Sequence, residues 1–361
     1  MNNVNVHGGD LDIISRQYNI PKKDIINFGG NVNPLGLPPS VKNIIIENAD
    51  SVTSYPDVSY VNLKNSISEY TGVNADNIIV GNGSTELISC FIKTLKPKNS
   101  LIVSPAYSEY LKELKQVNSN VELLELHEDN NFHLSINQIN FNDALDLIVL
   151  CNPNNPTGSY VNIDETEEIL KQCKKHNTFL MIDETYVEFS KPEKHVSAMP
   201  LIEKYDNLFI IRGTSKFFSC PGLRLGYGAC SSSELKAEIN SKKDPWSVNT
   251  LAELSGCVMF TDKDFIENTI KLINTERDYI FEELSKITDI KLFDTQSNFI
   301  LAKILKEDIT SDFIFKEMIK ENMLIRDAKD FPFLNNKFIR FCILDRESNN
   351  KLINKLKNIF K

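Results

Sequence analysis

The chain has 361 residues, of which 41% are hydrophobic and 25% charged, an ordinary composition for a globular enzyme. That length exceeds one small core and suits two domains, or one large domain with a satellite. The formal net charge of −9 is spread along the chain, which speaks against the clustered Lys and Arg of a nucleic-acid binder.

The first forty residues are punctuated by Gly and Pro ("HGGD", "NFGGNVNPLGLPPS") and read as an arm, 1–40, not as a compact unit. They lack the basic region and long apolar stretch of a secretory signal. A rhythm of short strands and helices then begins. Residues 63–72 read as helix, 77–97 as strand, Gly turn and helix, 100–117 as strand, turn and helix, and 121–128 as strand. Residues 144–158 read as an apolar strand ending in a loop, 166–177 as helix, and 179–189, 207–216 and 223–230 as strands. This alternation predicts an α/β large domain, 41–262, with a mostly parallel sheet covered on both faces. Beyond it, 263–287 reads as a long amphipathic helix. Strands within 290–304 and 337–344, a helix at 311–322 and a terminal helix from Glu347 complete a smaller α+β domain, 263–361. No run of about 18 apolar residues occurs, so no membrane partner is expected. The seven cysteines show neither CxxC nor zinc-ligand spacing. They read as small buried hydrophobes in a reducing, cytoplasmic setting, with no metal.

In open parallel sheets, ligands bind at the carboxyl ends of the strands. Each apolar run here ends in polar or aromatic residues: "GNGSTEL", "SPAY", "NPNNPTG", "DETY", "RGTSK". Ser84 and Thr85 follow a Gly turn at a helix N-terminus, which is an anion site or, taken alone, a plain N-cap. Asp183 ends a strand. A buried carboxylate needs a partner, and a protonated heterocyclic nitrogen is one; a turn cap is the alternative. Lys216 lies 33 residues later. A lysine partly desolvated near a second cation becomes nucleophilic toward a carbonyl. Arg224 can supply that cation and clamp a phosphate. Asn155 and Tyr186 can bond a phenolate oxygen, and Tyr107 offers a face for stacking. An aldehyde, a pyridine nitrogen, a phenolate and a phosphate on one ring describe pyridoxal 5′-phosphate, PLP.

The order "YPD", "GNGSTE", "SPAYSEY", "NPNNPTG", "DETY", "SK", "GLRLGY" and a late "IRF" resembles the class I/II aminotransferase family, PLP fold type I, over nearly the whole chain. The resemblance implies a large domain with a seven-stranded sheet between helices, a small C-terminal domain and a homodimer. It implies that Lys216 holds PLP covalently and that Asp183 keeps the pyridine nitrogen protonated. Asn155 and Tyr186 would bond the ring oxygen, and Tyr107 would stack on the ring. Ser84, Thr85, Ser215 and Arg224 would hold the phosphate, with Tyr55 reaching it from a second copy. Arg340 would bind a substrate carboxylate. One departure stands out: members usually carry Ser or Thr three residues before the lysine, and here that position is Gly213. Either Thr214 or Ser215 takes over, or the phosphate cup is looser.

The elements "HGG", "PWSVN" and "IRD" together resemble threonine-phosphate decarboxylases, while "YPD", "NPNNPTG" and the pair Arg326 and Arg340 are shared with histidinol-phosphate aminotransferases. Two arginines can hold two anions on one phosphorylated amino acid or amino alcohol. His7, Gly8 and Asn33 from the arm join them as expected substrate contacts. The reading is a decarboxylase of an O-phospho-amino acid, phosphothreonine or phosphoserine. A histidinol-phosphate-type aminotransferase is the alternative, and a non-catalytic PLP-fold binding protein a remote third.

Overall fold

The structure, a computed structural model, describes residues 10–361. Its N-terminal part holds a helix that Gly and Pro punctuation hid, Leu11–Tyr18 (α1), and a two-residue strand, Ile26–Asn27 (β1). Ile14 and Ile25 are buried against Ile319 and Leu324 of the C-terminal part. Next come helices Pro39–Glu47 (α2), which opens with Pro at its first turn, and Val61–Thr71 (α3), closed by Gly72 in the left-handed region.

Strand and helix then alternate as the apolar runs predict. They are Ile78–Gly81 (β2), Ser84–Leu95 (α4), Asn99–Ser104 (β3), Ser108–Gln116 (α5), Asn120–Glu125 (β4), Leu147–Cys151 (β5), Ile163–Lys175 (α6), Phe179–Asp183 (β6), Leu208–Gly213 (β7) and Gly226–Ala229 (β8). These seven strands form one sheet in the order β2-β8-β7-β6-β5-β3-β4. Only β8 runs against its neighbours, β2 and β7. Two further helices, Ser233–Lys242 (α7) and Thr250–Met259 (α8), were not expected.

Strands β2, β5 and β7 are buried along their whole length, as a sheet covered on both faces requires. Side chains alternate between two cores. Ile79, Val149, Met181, Phe209 and Ile211 pack toward α4 and α5, with Phe91, Tyr110 and Leu114. Ile78, Ile148, Ile182, Leu208 and Ile210 pack on the other face. By the same alternation, Cys151 and Asp183 leave the sheet on the α4–α5 side, and Glu184 and Arg212 on the opposite side.

The C-terminal part opens with Lys263–Leu284 (α9), capped by the Asp262 carboxylate. Ile290–Leu292 (β9), Phe299–Ile304 (β10), Ser311–Ile319 (α10), Met323–Leu324 (β11), Arg326–Asp327 (β12), Phe338–Cys342 (β13) and Arg346–Ile359 (α11) follow. An antiparallel sheet, β12-β13-β10-β9, supports it, and β1 pairs in parallel with β11. A large α/β part with a seven-stranded sheet and a smaller C-terminal α+β part are the architecture that the sequence resemblance implies. Among the described residues, no helix is long and apolar enough to cross a membrane, and no group of three or more His, Cys, Asp or Glu could hold a metal ion.

Candidate active site

A cavity of about 500 Å³ opens at the ends of the central strands, within the range of a small-ligand site. Ser84, Thr85, Tyr107, Asn155, Asp183 and Tyr186 all line it. Ser215, Lys216, Arg224, Arg326 and Arg340 complete the set that the chain brings together from the sequence-predicted residues.

At one end, the N-terminus of α4 presents Ser84 and Thr85, with Arg224 beside them. Unpaired backbone N–H groups there favour an anion. The turn is tight. Gly83 has φ +81°, and a Cβ on it would lie 2.4 Å from Arg224 Nη2; a Cβ on Gly226 would lie 2.6 Å from the Ser84 nitrogen. Gly213 faces Ser84, where an added Cβ would sit 3.2 Å from Oγ. The Thr214 hydroxyl donates to the Leu225 carbonyl at 3.0 Å and is turned away. Ser215 is the hydroxyl that lines the cavity in its place.

Asp183 is 4% exposed. Its Oδ1 accepts from Thr185 N at 2.9 Å and Thr185 Oγ1 at 2.5 Å, and its Oδ2 accepts from the Tyr110 hydroxyl at 2.7 Å. Burial pushes its pKa up, while these donors pull it down. Across the cavity, Lys216 Nζ donates to the Gly30 carbonyl at 2.7 Å. Burial, followed by Arg340 and Arg224, lowers its pKa to about 8. The amine therefore reaches its neutral, nucleophilic form far more readily than a free lysine does. A buried carboxylate, a depressed lysine and a helix-terminal anion cup suit the ring nitrogen, aldehyde and phosphate of PLP. Asn155 and Tyr186 line the same cavity, and burial keeps the Tyr186 phenol protonated by raising its pKa.

On the small-domain side, Arg340 is 5% exposed. Its Nη1 donates to Asn155 Oδ1 and its Nη2 to the Gly29 carbonyl, while Nε is buried with no partner. Burial, and Arg326 nearby, lower its pKa to about 10. Arg326 and Arg340 are register partners on β12 and β13. The Phe331 ring lies 5.5 Å from the Arg326 guanidinium and 6.0 Å from that of Arg340.

One expectation has a different outcome. Asn33 does not reach the cavity: it is 2% exposed, and its amide donates to the Phe217 carbonyl at 2.7 Å and Thr269 Oγ1 at 2.8 Å. Its neighbour Asn31 lines the cavity instead and donates to the Tyr186 hydroxyl at 3.3 Å. The cause is Asn31's left-handed φ of 53°, which breaks the extended chain. Tyr55, expected to act from a second copy, is 79% exposed, packs at a tilt against Trp246 and does not line its own chain's cavity. His7 and Gly8 lie outside the described residues.

Sequence reasoning missed Tyr110, although "SPAYSEY" places it one helical turn after Tyr107. It also missed a buried ion pair beneath the cavity floor. Arg212 Nε and Nη2 donate to Glu184 Oε2 at 2.9 and 2.7 Å, and Nη2 also reaches Ser197 Oγ at 2.7 Å. Adjacency in sequence was the available signal: Glu184 follows Asp183, and Arg212 precedes the lysine loop.

The family model for class I and II aminotransferases matches residues 23–356. A Caldanaerobacter subterraneus protein with a provisional threonine-phosphate decarboxylase name is 38% identical over 92% of this chain and 89% of its own. A histidinol-phosphate aminotransferase of Clostridium novyi is 34% identical over 92% and 91%. The crystal structure of the histidinol-phosphate aminotransferase of Clostridium acetobutylicum superposes with a TM-score of 0.86 at 34% identity, covering 92% of this chain and 98% of that one. The chain thus belongs to the class I and II aminotransferase family and is a PLP-dependent enzyme of fold type I.

Proposed function

We propose that the chain uses PLP to transform a small amine that carries a phosphate ester. The observation that carries this reading is the register pairing of Arg326 with Arg340 on the cavity wall. Like charges directly opposite each other across two strands are destabilising, and a doubly anionic substrate compensates for that. In this reading Lys216, Asp183 and Tyr186 are the catalytic residues. Ser84, Thr85, Ser215 and Arg224 hold the cofactor phosphate, Asn155 and Tyr107 hold its ring, and Arg340 and Arg326 orient the substrate. Bound there, PLP supplies an electron sink for a bond broken at the carbon bearing the amine. The neutral Lys216 amine is placed to take or return a proton.

Two reactions fit. Transamination of a histidinol-phosphate-like amino alcohol has the broader support, from the C. novyi enzyme and the C. acetobutylicum structure. Decarboxylation of an O-phospho-amino acid is favoured by the 38% identical relative. The purified protein, loaded with PLP, is given phosphothreonine, phosphoserine, or histidinol phosphate with 2-oxoglutarate. Glutamate formed without carbon dioxide establishes the first reaction. Carbon dioxide released without any keto acid establishes the second. No turnover of any phosphorylated amine would overturn the shared reading.

A homodimer is part of the proposal. The exposed rings of Tyr55 and Trp246 pack together at a tilt with centroids 4.7 Å apart, and Val52, Val58 and Val61, close by in sequence to Tyr55, are exposed as well. Apolar surface of that kind supports association, and Tyr55 would reach the phosphate cup of the second copy.

A further inference from the structure

We propose that Tyr110 is a positioning residue for the cofactor: its hydroxyl holds Asp183 so that a single acceptor site remains, on Oδ2, for the N–H of the PLP ring. This rests on the reading of Asp183 as the partner of that nitrogen. An ionised carboxylate has about four acceptor sites, two on each oxygen. Thr185 fills both on Oδ1, and Tyr110 fills one on Oδ2. The ring N–H is thereby directed to one oxygen and one direction.

The placement follows from the sheet. Asp183 leaves β6 on the side covered by α5, and Tyr110 is fully buried there in the α4–α5 core, edge-on to Tyr107 with ring centroids 5.7 Å apart. Tyr107 just before α5, Tyr110 within it, Cys151 from β5 and Tyr186 beyond β6 are the titratable groups that face Asp183. Among the described residues only Tyr110 and Thr185 donate to it. The Tyr110 hydroxyl also favours the ionised carboxylate, so the shared proton sits on the ring. Without that donor, the proton moves toward Asp183 and the ring becomes a weaker electron sink.

The test uses Tyr110→Phe, which keeps the buried ring and removes the hydroxyl. Both it and the unmodified protein are reconstituted with PLP labelled with ¹⁵N in the ring. The expected result is a ring-nitrogen resonance shifted toward its unprotonated position. A Kd for PLP weakened roughly 10- to 100-fold, the worth of a hydrogen bond to a charged group, should accompany it. Asp183→Asn is measured alongside. If Asp183→Asn moves the resonance and Tyr110→Phe moves neither resonance nor Kd, the assignment of Tyr110 is overturned and the reading of Asp183 stands. If Asp183→Asn itself leaves the resonance in place, the reading of Asp183 falls, and that of Tyr110 with it.

Discussion

Two buried arginines lie on either side of the active-site floor and are treated in opposite ways. Arg212 is closed off: Glu184 takes two of its N–H groups, Ser197 takes another, and Glu188 stands 3.7 Å away. Burial opposes its charge, yet Tyr227, Glu184 and Glu188 hold its pKa well above the usual value. Arg340 is equally buried but, among the described residues, meets no carboxylate. Its partners are an amide oxygen and a backbone carbonyl, and its Nε has none. A buried cation without a counter-ion costs stability. The contrast separates a charge kept for the fold from one kept for a ligand, and neither the residue type nor its burial distinguishes them. The identity of the partner does.

The comparison can be broken most forcefully at the paired site. Glu184→Ala leaves Arg212 buried without its main counter-ion and should cost about 3–5 kcal/mol, read as a lower urea midpoint at unchanged slope. A midpoint close to that of the unmodified protein would mean that Glu188 and solvent replace the lost partner. Arg340→Met should behave in the reverse sense, with the folded protein as stable as before or more so. Turnover efficiency, kcat/KM, on the phosphorylated substrate should fall roughly 10- to 100-fold with the loss of a charged hydrogen bond. A large loss of stability in this variant would place Arg340 with Arg212.

The smallest effect concerns Lys216. Its pKa in the folded, cofactor-free protein is about 8, against 10.5 for a free lysine. Between these values the unfolded chain binds more protons, so stability gains with rising pH; below about 8 the penalty is present in full. Lys216→Met has no such titration. It should be more stable than the unmodified apoprotein below pH 8, and that advantage should shrink toward pH 10.5. A constant difference in urea midpoint across that range would show that Lys216 is not desolvated.

The sheet and most of the cavity were legible because apolar runs of strand length each end in chemistry-bearing residues. Asp183, Lys216, Arg224 and Arg340 follow from that pattern and from the motif order. What escaped depends on through-space placement. Glu184 and Arg212 are paired only by the β6–β7 register. Tyr110 reaches Asp183 because α5 crosses that face. The choice of Asn31 over Asn33 turns on one left-handed residue inside a segment that reads as irregular. Helix α1 is short and lies between Gly and Pro clusters, so its apolar spacing had too few turns to stand out.

The pairing of β1 with β11 has a consequence for the order in which the molecule is made. Ile26 and Met323 are register partners, the Ile26 N–H donates to the Asn322 carbonyl, the Cys342 N–H donates to the Phe28 carbonyl, and Arg340 grips the Gly29 carbonyl 311 residues away in sequence. Gly29, Gly30 and Asn31 line the cavity, yet their supports leave the ribosome long after them. The seven-stranded sheet can begin to assemble during synthesis, while residues 26–31 wait for residues 322–342. The binding site is therefore completed only once residues 322–342 have emerged to support it.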